Sequence, residues 1–136
     1  NEVILEIGTG SGYQTSILSL LSRRVYSIER IKPLLVNAQS CFKKLKLTNI
    51  ISEFGDGFLG WPKLAPFDHM IITCAVEEID DRLLNQIRVN GSCVVPIGKT
   101  KKQQRLTKIT IGKYRHDDVW EDLGKVSFVP LISEKY

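Results

Sequence analysis

Val3-Ile4-Leu5-Glu6-Ile7-Gly8-Thr9-Gly10-Ser11-Gly12 is the stretch that decides the fold, because an apolar run leads directly into three closely spaced glycines. A helical pattern follows, so the glycines occupy one strand-to-helix turn. Glycine has no Cβ, so the backbone there can adopt positive φ angles and come close to a bound molecule, while the following helix offers unpaired N–H groups. The stretch therefore predicts a ligand-binding loop. The alternative is a flexible glycine turn that binds nothing.

The spacing of the glycines narrows the class of ligand. A dinucleotide-binding turn reads G-x-G-x-x-G, whereas this loop has glycines at positions 8, 10 and 12 and an acid, Glu6, two residues before the first. The loop resembles the E-x-G-x-G-x-G loop of S-adenosylmethionine-dependent methyltransferases.

Length and composition predict one domain, residues 1–136, of an ordinary soluble class. Hydrophobic residues make up 43% of the chain and charged residues 25%. No apolar run approaches the roughly 20 residues of a membrane span, and no signal segment opens the chain, so we expect a cytoplasmic protein that does not bind membranes. Cys41, Cys74 and Cys93 lie far apart. This spacing suggests neither a disulfide framework nor a metal site, and predicts buried thiols.

The formal net charge is +4, and much of it gathers in a stretch after residue 98. The stretch comprises Lys99, Lys101, Lys102, Arg105 and Lys108. A basic cluster of this kind could steer anionic partners, but a solvated loop is favoured because no aromatic residues interleave with the charges. We therefore expect no nucleic-acid partner. Asn1-Glu2 stands immediately before the first strand, which predicts a fragment that lacks an N-terminal segment.

The order of periodic segments predicts an α/β fold. Strands are expected at 24–29, 50–54, 67–74, 93–97, 106–111 and 126–131, in addition to the first one. One helix is expected over 13–23, with Ile17, Leu18, Leu20 and Leu21 on its buried face, and a second from Pro33, with a buried stripe of Leu34, Leu35, Ala38, Phe42 and Leu45. A short third helix, capped by Asp80 or Asp81, is expected to end at Asn90-Gly91. The result is a Rossmann-like, doubly wound, mostly parallel seven-stranded sheet with an antiparallel C-terminal edge.

Candidate ligand-binding side chains stand where predicted strands end. Ligands of open parallel sheets bind outside the carboxyl ends of the strands. Glu29 ends the second strand, where its carboxylate could accept hydrogen bonds from both ribose hydroxyls of an adenosine, and Asp56 follows the third, where it could accept from an adenine amino group. Glu29 could instead form an exposed charge pair, and Asp56 could be a turn residue that bonds to its own backbone. Neither His69 nor His116 is assigned a catalytic role.

Several longer motifs narrow the resemblance. They are Gly10-Ser11-Gly12-Tyr13-Gln14-Thr15, Val25-Tyr26-Ser27-Ile28-Glu29-Arg30, Gly55-Asp56-Gly57-Phe58-Leu59-Gly60-Trp61, Ala65-Pro66-Phe67-Asp68, Val95-Pro96-Ile97-Gly98 and Phe128-Val129-Pro130-Leu131. In this order they resemble the protein-L-isoaspartate O-methyltransferase family over essentially the whole chain. D-G-x-x-G-W with a late F-V-P-L is far more specific than the glycine loop.

The resemblance implies S-adenosyl-L-methionine as the cofactor and assigns residues to it. Gly8, Gly10, Ser11 and Gly12 would approach its methionine end, Glu6 would orient the loop, Glu29 would hold the ribose, Asp56 with Gly57 would hold the adenine, and Arg30 belongs to the same set. Val129, Pro130 and Leu131 would contact the peptide acceptor. The chain departs from the family at Glu77-Glu78-Ile79-Asp80, where prolines are more usual, and in the absence of the family's hydroxyl-bearing segment before the loop.

The implied activity is methyl transfer to the free carboxylate of L-isoaspartyl residues in damaged proteins or peptides, with repair through a succinimide. A carboxylate is already ionised at neutral pH, so no general base is expected and no catalytic residue is assigned. The expected protein is a monomer. Two alternatives stay open: an S-adenosylmethionine-binding fragment without activity, and a methyltransferase that acts on RNA or a small molecule.

Overall fold

The computed structural model describes residues 1–132, which form a sheet flanked by helices. The strands are β1 Val3–Ile7, β2 Arg24–Glu29, β3 Ile50–Phe54, β4 Phe67–Ile72, β5 Ile87–Ile97, β6 Arg105–Thr110 and β7 Val119–Lys125. The α-helices are α1 Tyr13–Leu21, α2 Lys32–Lys44 and α3 Asp81–Leu84. Short 3-10 turns cover Gly57–Leu59, Pro62–Leu64, Lys101–Gln103 and Arg115–Asp117.

The sheet has the predicted topology. Its seven strands run in the order β3-β2-β1-β4-β5-β6-β7. The pairs from β3 to β5 are parallel, and β5–β6 and β6–β7 are antiparallel. The strand order reverses between β1 and β4, so the carboxyl ends of β1, β2 and β4 open onto one crevice. The Rossmann-like sheet with an antiparallel C-terminal edge is therefore confirmed.

Helix α1 buries a different face from the predicted one. Its buried side chains are Thr15 and Ser19, while Ile17, Leu20 and Leu21 are exposed. The reason lies in β1, which presents the carboxyl group of Glu6 beneath the helix, where Thr15 donates a hydrogen bond to it. A buried carboxyl group needs hydrogen-bond partners, so the hydroxyl-bearing face of the helix packs inward.

The second helix follows its prediction more closely. Leu35, Ala38 and Phe42 are buried as expected, but Leu34 and Leu45 are exposed. The buried residues pack against β2 and β3, whereas Leu45 caps the last turn and Leu34 faces a cavity described below. The predicted stripe was therefore too wide by these two residues.

The third helix and the strand after it also differ from the prediction. Helix α3 ends at Leu84, and β5 begins at Ile87, so Asn90-Gly91 lies inside a strand rather than at the end of a helix. Asn90 has φ 69°, and the pairing of β4 with β5 shifts register between Phe67 and His69. The left-handed residue predicted as a helix terminator belongs instead to this irregularity in the strand. Strand β4 ends at Ile72, two residues before the predicted end.

The last strand was predicted in the wrong segment. Residues 119–125 form β7, and residues 126–131 leave the sheet and return to it at a bridge between Pro130 and Ala75. Strand β7 is the edge of the sheet, and Val119, Trp120 and Leu123 are all exposed. An edge strand with solvent on both faces carries no apolar alternation, which explains why the sequence predicts no strand there.

Candidate active site

A cavity of about 350 Å³ lies at the carboxyl ends of β1, β2 and β4. Its volume falls within the range of small-molecule sites. Five segments form its walls: Ile7 with Gly8 and Gly10, Ile28 to Ile31 with Leu34, Gly57, Thr73 with Cys74, and Val129 to Ile132. Of the predicted site residues, Gly8, Gly10, Glu29, Arg30, Gly57, Val129, Pro130 and Leu131 meet on these walls.

The glycine loop has the backbone conformation that only glycine adopts easily. Gly8 has φ 100° and Gly10 has φ 56°. A Cβ on Gly8 would lie 2.3 Å from the hydroxyl of Thr73, whereas one on Gly10 would meet nothing within 4 Å. Gly8 is therefore required for packing against the end of β4, and Gly10 presents bare backbone to open space at the cavity.

Glu29 fastens this loop to the end of β2. Its Oε1 accepts a hydrogen bond from the backbone N–H of Gly10 at 2.8 Å, and its Oε2 accepts from the N–H of Ile31 at 2.9 Å. The residue is 6% exposed and faces the cavity. Each carboxylate oxygen has a further acceptor position, so Glu29 can still receive hydroxyl donors from a ligand.

Glu6 lies beneath the loop and not on the cavity wall. It is completely buried, and its Oε1 accepts hydrogen bonds from the hydroxyls of Thr15 and, at 2.7 Å, Ser27. The Ser27 hydroxyl is also 2.6 Å from that of Thr9 in the loop. Burial raises the pKa of Glu6, and the charge of Glu29 raises it further. The network joins β1, β2, α1 and the loop beneath the cavity.

Besides Glu6, three predicted cofactor residues lie away from the cavity wall. Asp56 accepts a hydrogen bond from Phe58 N–H at 2.9 Å and lines a neighbouring cleft of about 290 Å³ together with Trp61. Ser11 is exposed, and Gly12, with φ 84°, begins α1. The turn interpretation of Asp56 accounts for its Oδ1, and its role toward adenine stays a prediction.

The Phe128-Val129-Pro130-Leu131 segment closes the cavity from the opposite side. The N–H of Ala75, just beyond β4, donates to Val129 O at 2.7 Å, and the N–H of Leu131 donates to Ala75 O at 2.8 Å. A Cβ built on Gly57 would lie 3.2 Å from the side chain of Leu131. The predicted acceptor residues therefore share a cavity with the predicted cofactor residues.

Sequence reasoning missed much of the apolar wall. Ile7, Ile28, Ile31 and Ile132 were not predicted as site residues, and Leu34 was assigned to the core. Their position next to Gly8, Glu29 and Leu131 was the available signal, since a residue that flanks a ligand contact at a strand end often shares its pocket. Thr73 and Cys74, just beyond β4, also line the cavity. Burial raises the pKa of the Cys74 thiol, with a further contribution from the charge of Glu29.

Other ionisable groups lie elsewhere. His69 Nδ1 is 2.8 Å from the hydroxyl of Ser92, and neither His69 nor His116 lines the cavity. Within residues 1–132, no cluster of three or more His, Cys, Asp or Glu side chains is arranged to hold a metal ion. In the same range, no helix has the length and apolarity needed to cross a bilayer.

Comparisons with known proteins identify the same family that the sequence motifs resemble. The family described as protein-L-isoaspartate(D-aspartate) O-methyltransferase matches residues 1–136. A protein-L-isoaspartate O-methyltransferase of Caulobacter vibrioides is 48% identical over 132 residues, which are 96% of this chain and 58% of that protein. Protein-L-isoaspartate O-methyltransferase 1 of Nitrosococcus oceani is 44% identical over 131 residues, or 96% of this chain and 61% of its own length. The chain thus spans about 60% of the length of these curated relatives.

Solved structures share the fold. A protein-L-isoaspartate O-methyltransferase structure superposes with a TM-score of 0.85 at 26% identity, covering 95% of this chain and 41% of that one. A candidate enzyme of the same name from Plasmodium falciparum, in complex with S-adenosyl-L-homocysteine, gives a TM-score of 0.78 at 23% identity, covering 98% and 66%. With its fold, its glycine loop and the match along its whole length, the chain belongs to the protein-L-isoaspartate(D-aspartate) O-methyltransferase family.

Proposed function

We propose that this protein transfers a methyl group from S-adenosyl-L-methionine to the free carboxylate of L-isoaspartyl residues in damaged proteins and peptides. The observation that carries the proposal is the meeting, in one cavity, of the glycine loop, the Glu29 carboxylate and the Val129–Leu131 wall. The family to which the chain belongs supports the same reaction.

The residues of the cavity fit this cofactor. Gly10 leaves open space beside the backbone, which suits the close approach of the amino acid end of the cofactor. Glu29, a nearly buried carboxylate, would accept hydrogen bonds from ribose hydroxyls, and the apolar side chains of Ile28, Ile31 and Leu34 would pack against the purine. When bound, S-adenosyl-L-methionine supplies an electrophilic methyl group on a sulfonium.

The chain's own residues mainly position and desolvate the acceptor. The acceptor carboxylate is ionised at neutral pH, so no side chain needs to remove a proton. Val129, Pro130 and Leu131 would form an apolar wall that keeps water away from this nucleophile, and exclusion of water makes an aligned carboxylate more reactive. Glu29 stays a ligand to the cofactor and takes no part in proton transfer.

Two assays test the proposal. The first measures transfer of a labelled methyl group to a peptide with one isoaspartyl residue and to the same peptide with aspartate. We expect labelling of the isoaspartyl peptide alone. Equal labelling of both peptides, or labelling of RNA instead, would show that the acceptor assignment is wrong.

The second assay measures S-adenosyl-L-homocysteine binding by calorimetry. Binding together with methyl transfer supports the full proposal, and binding without turnover supports the alternative of a cofactor-binding module. An absence of binding would overturn the assignment of Glu29 and of the glycine loop.

We further propose the cytoplasm as the site of action, since Cys41, Cys74 and Cys93 are all free thiols, which suits a reducing compartment.

A further inference from the structure

The segment Phe128–Leu131, here called the strap, walls the cavity although it belongs to no strand. It follows β7 at the far edge of the sheet and returns to Ala75 beyond β4. The bridge to Ala75 holds its second half through the backbone of Val129 and Leu131. Its first half must be held by other groups, because the sheet supplies no neighbouring strand there.

One side chain holds that first half. The amide Nε2 of Gln104 donates to Phe128 O at 3.0 Å, and its Oε1 accepts from Phe128 N–H at 2.6 Å. The backbone carbonyl of Gln104 also accepts from Val126 N–H at 3.1 Å. Gln104 is 3% exposed and stands between the 3-10 turn Lys101–Gln103 and β6. Its amide therefore pairs with the strap as a neighbouring strand would.

This pairing acts on the cavity through the backbone. Val129, Pro130 and Leu131, the three residues after Phe128, all line the cavity, and Leu131 packs closely over Gly57. Gln104 itself is not on that cavity wall. Gln104 lines a separate, neighbouring cavity of about 490 Å³. A change at Gln104 would therefore reach a ligand in the cavity beside Gly10 and Glu29 by moving the strap.

We propose that Gln104 is a positioning residue, which fixes the strap so that Val129–Leu131 form the cavity wall. The proposal rests on the proposed function, because it assigns this wall to the binding of S-adenosyl-L-methionine and its acceptor. Gln104 holds the strap with one donor and one acceptor on the same planar amide. A substitution that removes either the donor or the acceptor should therefore release the strap.

The first test replaces the amide with an apolar group of similar size, Gln104→Leu. This variant leaves the N–H and C=O of Phe128 without their partner, and each lost neutral hydrogen bond corresponds to about a fivefold change in an equilibrium. We expect S-adenosyl-L-homocysteine to bind about tenfold or more weakly by calorimetry. Gln103→Leu, the same change at the exposed neighbouring residue, is the control and should bind as the unaltered protein does.

The second test uses Gln104→Glu, which separates positioning from general loss of structure. A protonated glutamic acid has the same donor and acceptor pair as glutamine, whereas its ionised form only accepts and faces Phe128 O with a negative charge. We expect its dissociation constant, divided by that of the unaltered protein at the same pH, to be high at pH 8 and to fall toward one as the pH is lowered to 5. Dividing by the unaltered protein removes the pH dependence of every other group.

A ratio that does not change with pH, or unaltered binding by Gln104→Leu, would overturn the proposal. Amide hydrogen exchange distinguishes a wrong role for Gln104 from a wrong cofactor assignment, because it requires no ligand. If the unaltered protein binds no S-adenosyl-L-homocysteine, the cofactor assignment fails, and the amide exchange of Ala75 and Leu131 still reports on the strap. Faster exchange of these two amides in Gln104→Leu than in Gln103→Leu supports the positioning role, and equal exchange contradicts it.

Discussion

Glu29 shows how one residue can serve both the fold and the site. Its two carboxylate oxygens hold Gly10 and Ile31, so the same side chain that faces the cavity also fixes the shape of the loop. A backbone N–H bonded to a carboxylate is a charge-assisted contact, stronger than a neutral one. Removal of Glu29 should therefore affect ligand binding twice, through the lost contact and through the released loop.

The Glu29→Ala variant should bind S-adenosyl-L-homocysteine more weakly by at least about 1.5–3 kcal/mol, the size of one charge-assisted hydrogen-bonded contact, because release of the loop adds to the lost contact. Calorimetry measures this loss directly. Glu121→Ala makes the same change at an exposed position of β7 and serves as the control. An unchanged affinity of Glu29→Ala would mean that the carboxylate does not contact the ligand.

Glu6 leads to a prediction about pH. Its folded-state pKa lies above its ordinary value, so between the unfolded and the folded pKa the native state binds more protons than the unfolded state. The contribution of Glu6 to stability is therefore complete below the unfolded pKa and is lost as the pH rises through the folded pKa. We expect Glu6→Gln, which stays neutral, to gain stability relative to the unaltered protein between pH 5 and pH 8.

Urea unfolding at the two pH values measures this difference, with Glu121→Gln as the exposed control. A stability difference between Glu6→Gln and the unaltered protein that is the same at both pH values would show that the carboxyl group of Glu6 titrates normally.

At the scale of elements, α1 shows how far periodicity can mislead. Apolar residues recur at helical spacing in α1, yet Leu20 is 75% exposed and Leu21 is 78% exposed. Spacing identifies a helix and its possible faces, but the sheet beneath selects the face that is buried. Here the sheet presents the carboxyl group of Glu6, which accepts hydrogen bonds from the hydroxyls of Thr15 in the helix and of Ser27 in β2.

A matched pair of substitutions tests this orientation. Leu20→Ala in α1 should change the free energy of unfolding by no more than about 0.5 kcal/mol, as expected for an exposed side chain. Leu35→Ala in α2 makes the same chemical change at a residue that is 4% exposed, and should cost about 2–5 kcal/mol. Urea denaturation measures both, and comparable losses in the two variants would contradict the observed face of α1.

At the scale of the whole molecule, ligand binding is coupled to folding. The cavity is assembled from β1, β2, the segment after β4 and the strap, which are far apart in the sequence. A ligand that binds only this assembled state stabilises it by about 2.7 kcal/mol at one hundred times its dissociation constant. A bound ligand therefore stabilises the whole fold, because its site exists only when all of these segments are in place.

We expect S-adenosyl-L-homocysteine at such a concentration to raise the Tm by about 5–10 °C. A thermal scan with NAD⁺ at the same concentration is the control, because the glycine spacing does not match a dinucleotide-binding turn. Equal shifts with the two compounds would show that the cavity does not discriminate between them.

The sequence by itself determined the order of the elements, the parallel sheet, the glycine loop and the position of Glu29 at a strand end. These features depend on local periodicity and on residues within one turn of each other, and β2 and β3 have the bounds that were predicted. Only the tertiary structure decided which face of α1 is buried, that β7 is the exposed edge and that Phe128–Leu131 returns to Ala75. It also revealed the pairing of Gln104 with Phe128, 24 residues apart. These features depend on hydrogen bonds between groups that lie far apart in the sequence. The periodicity of a single segment carries no information about such distant partners.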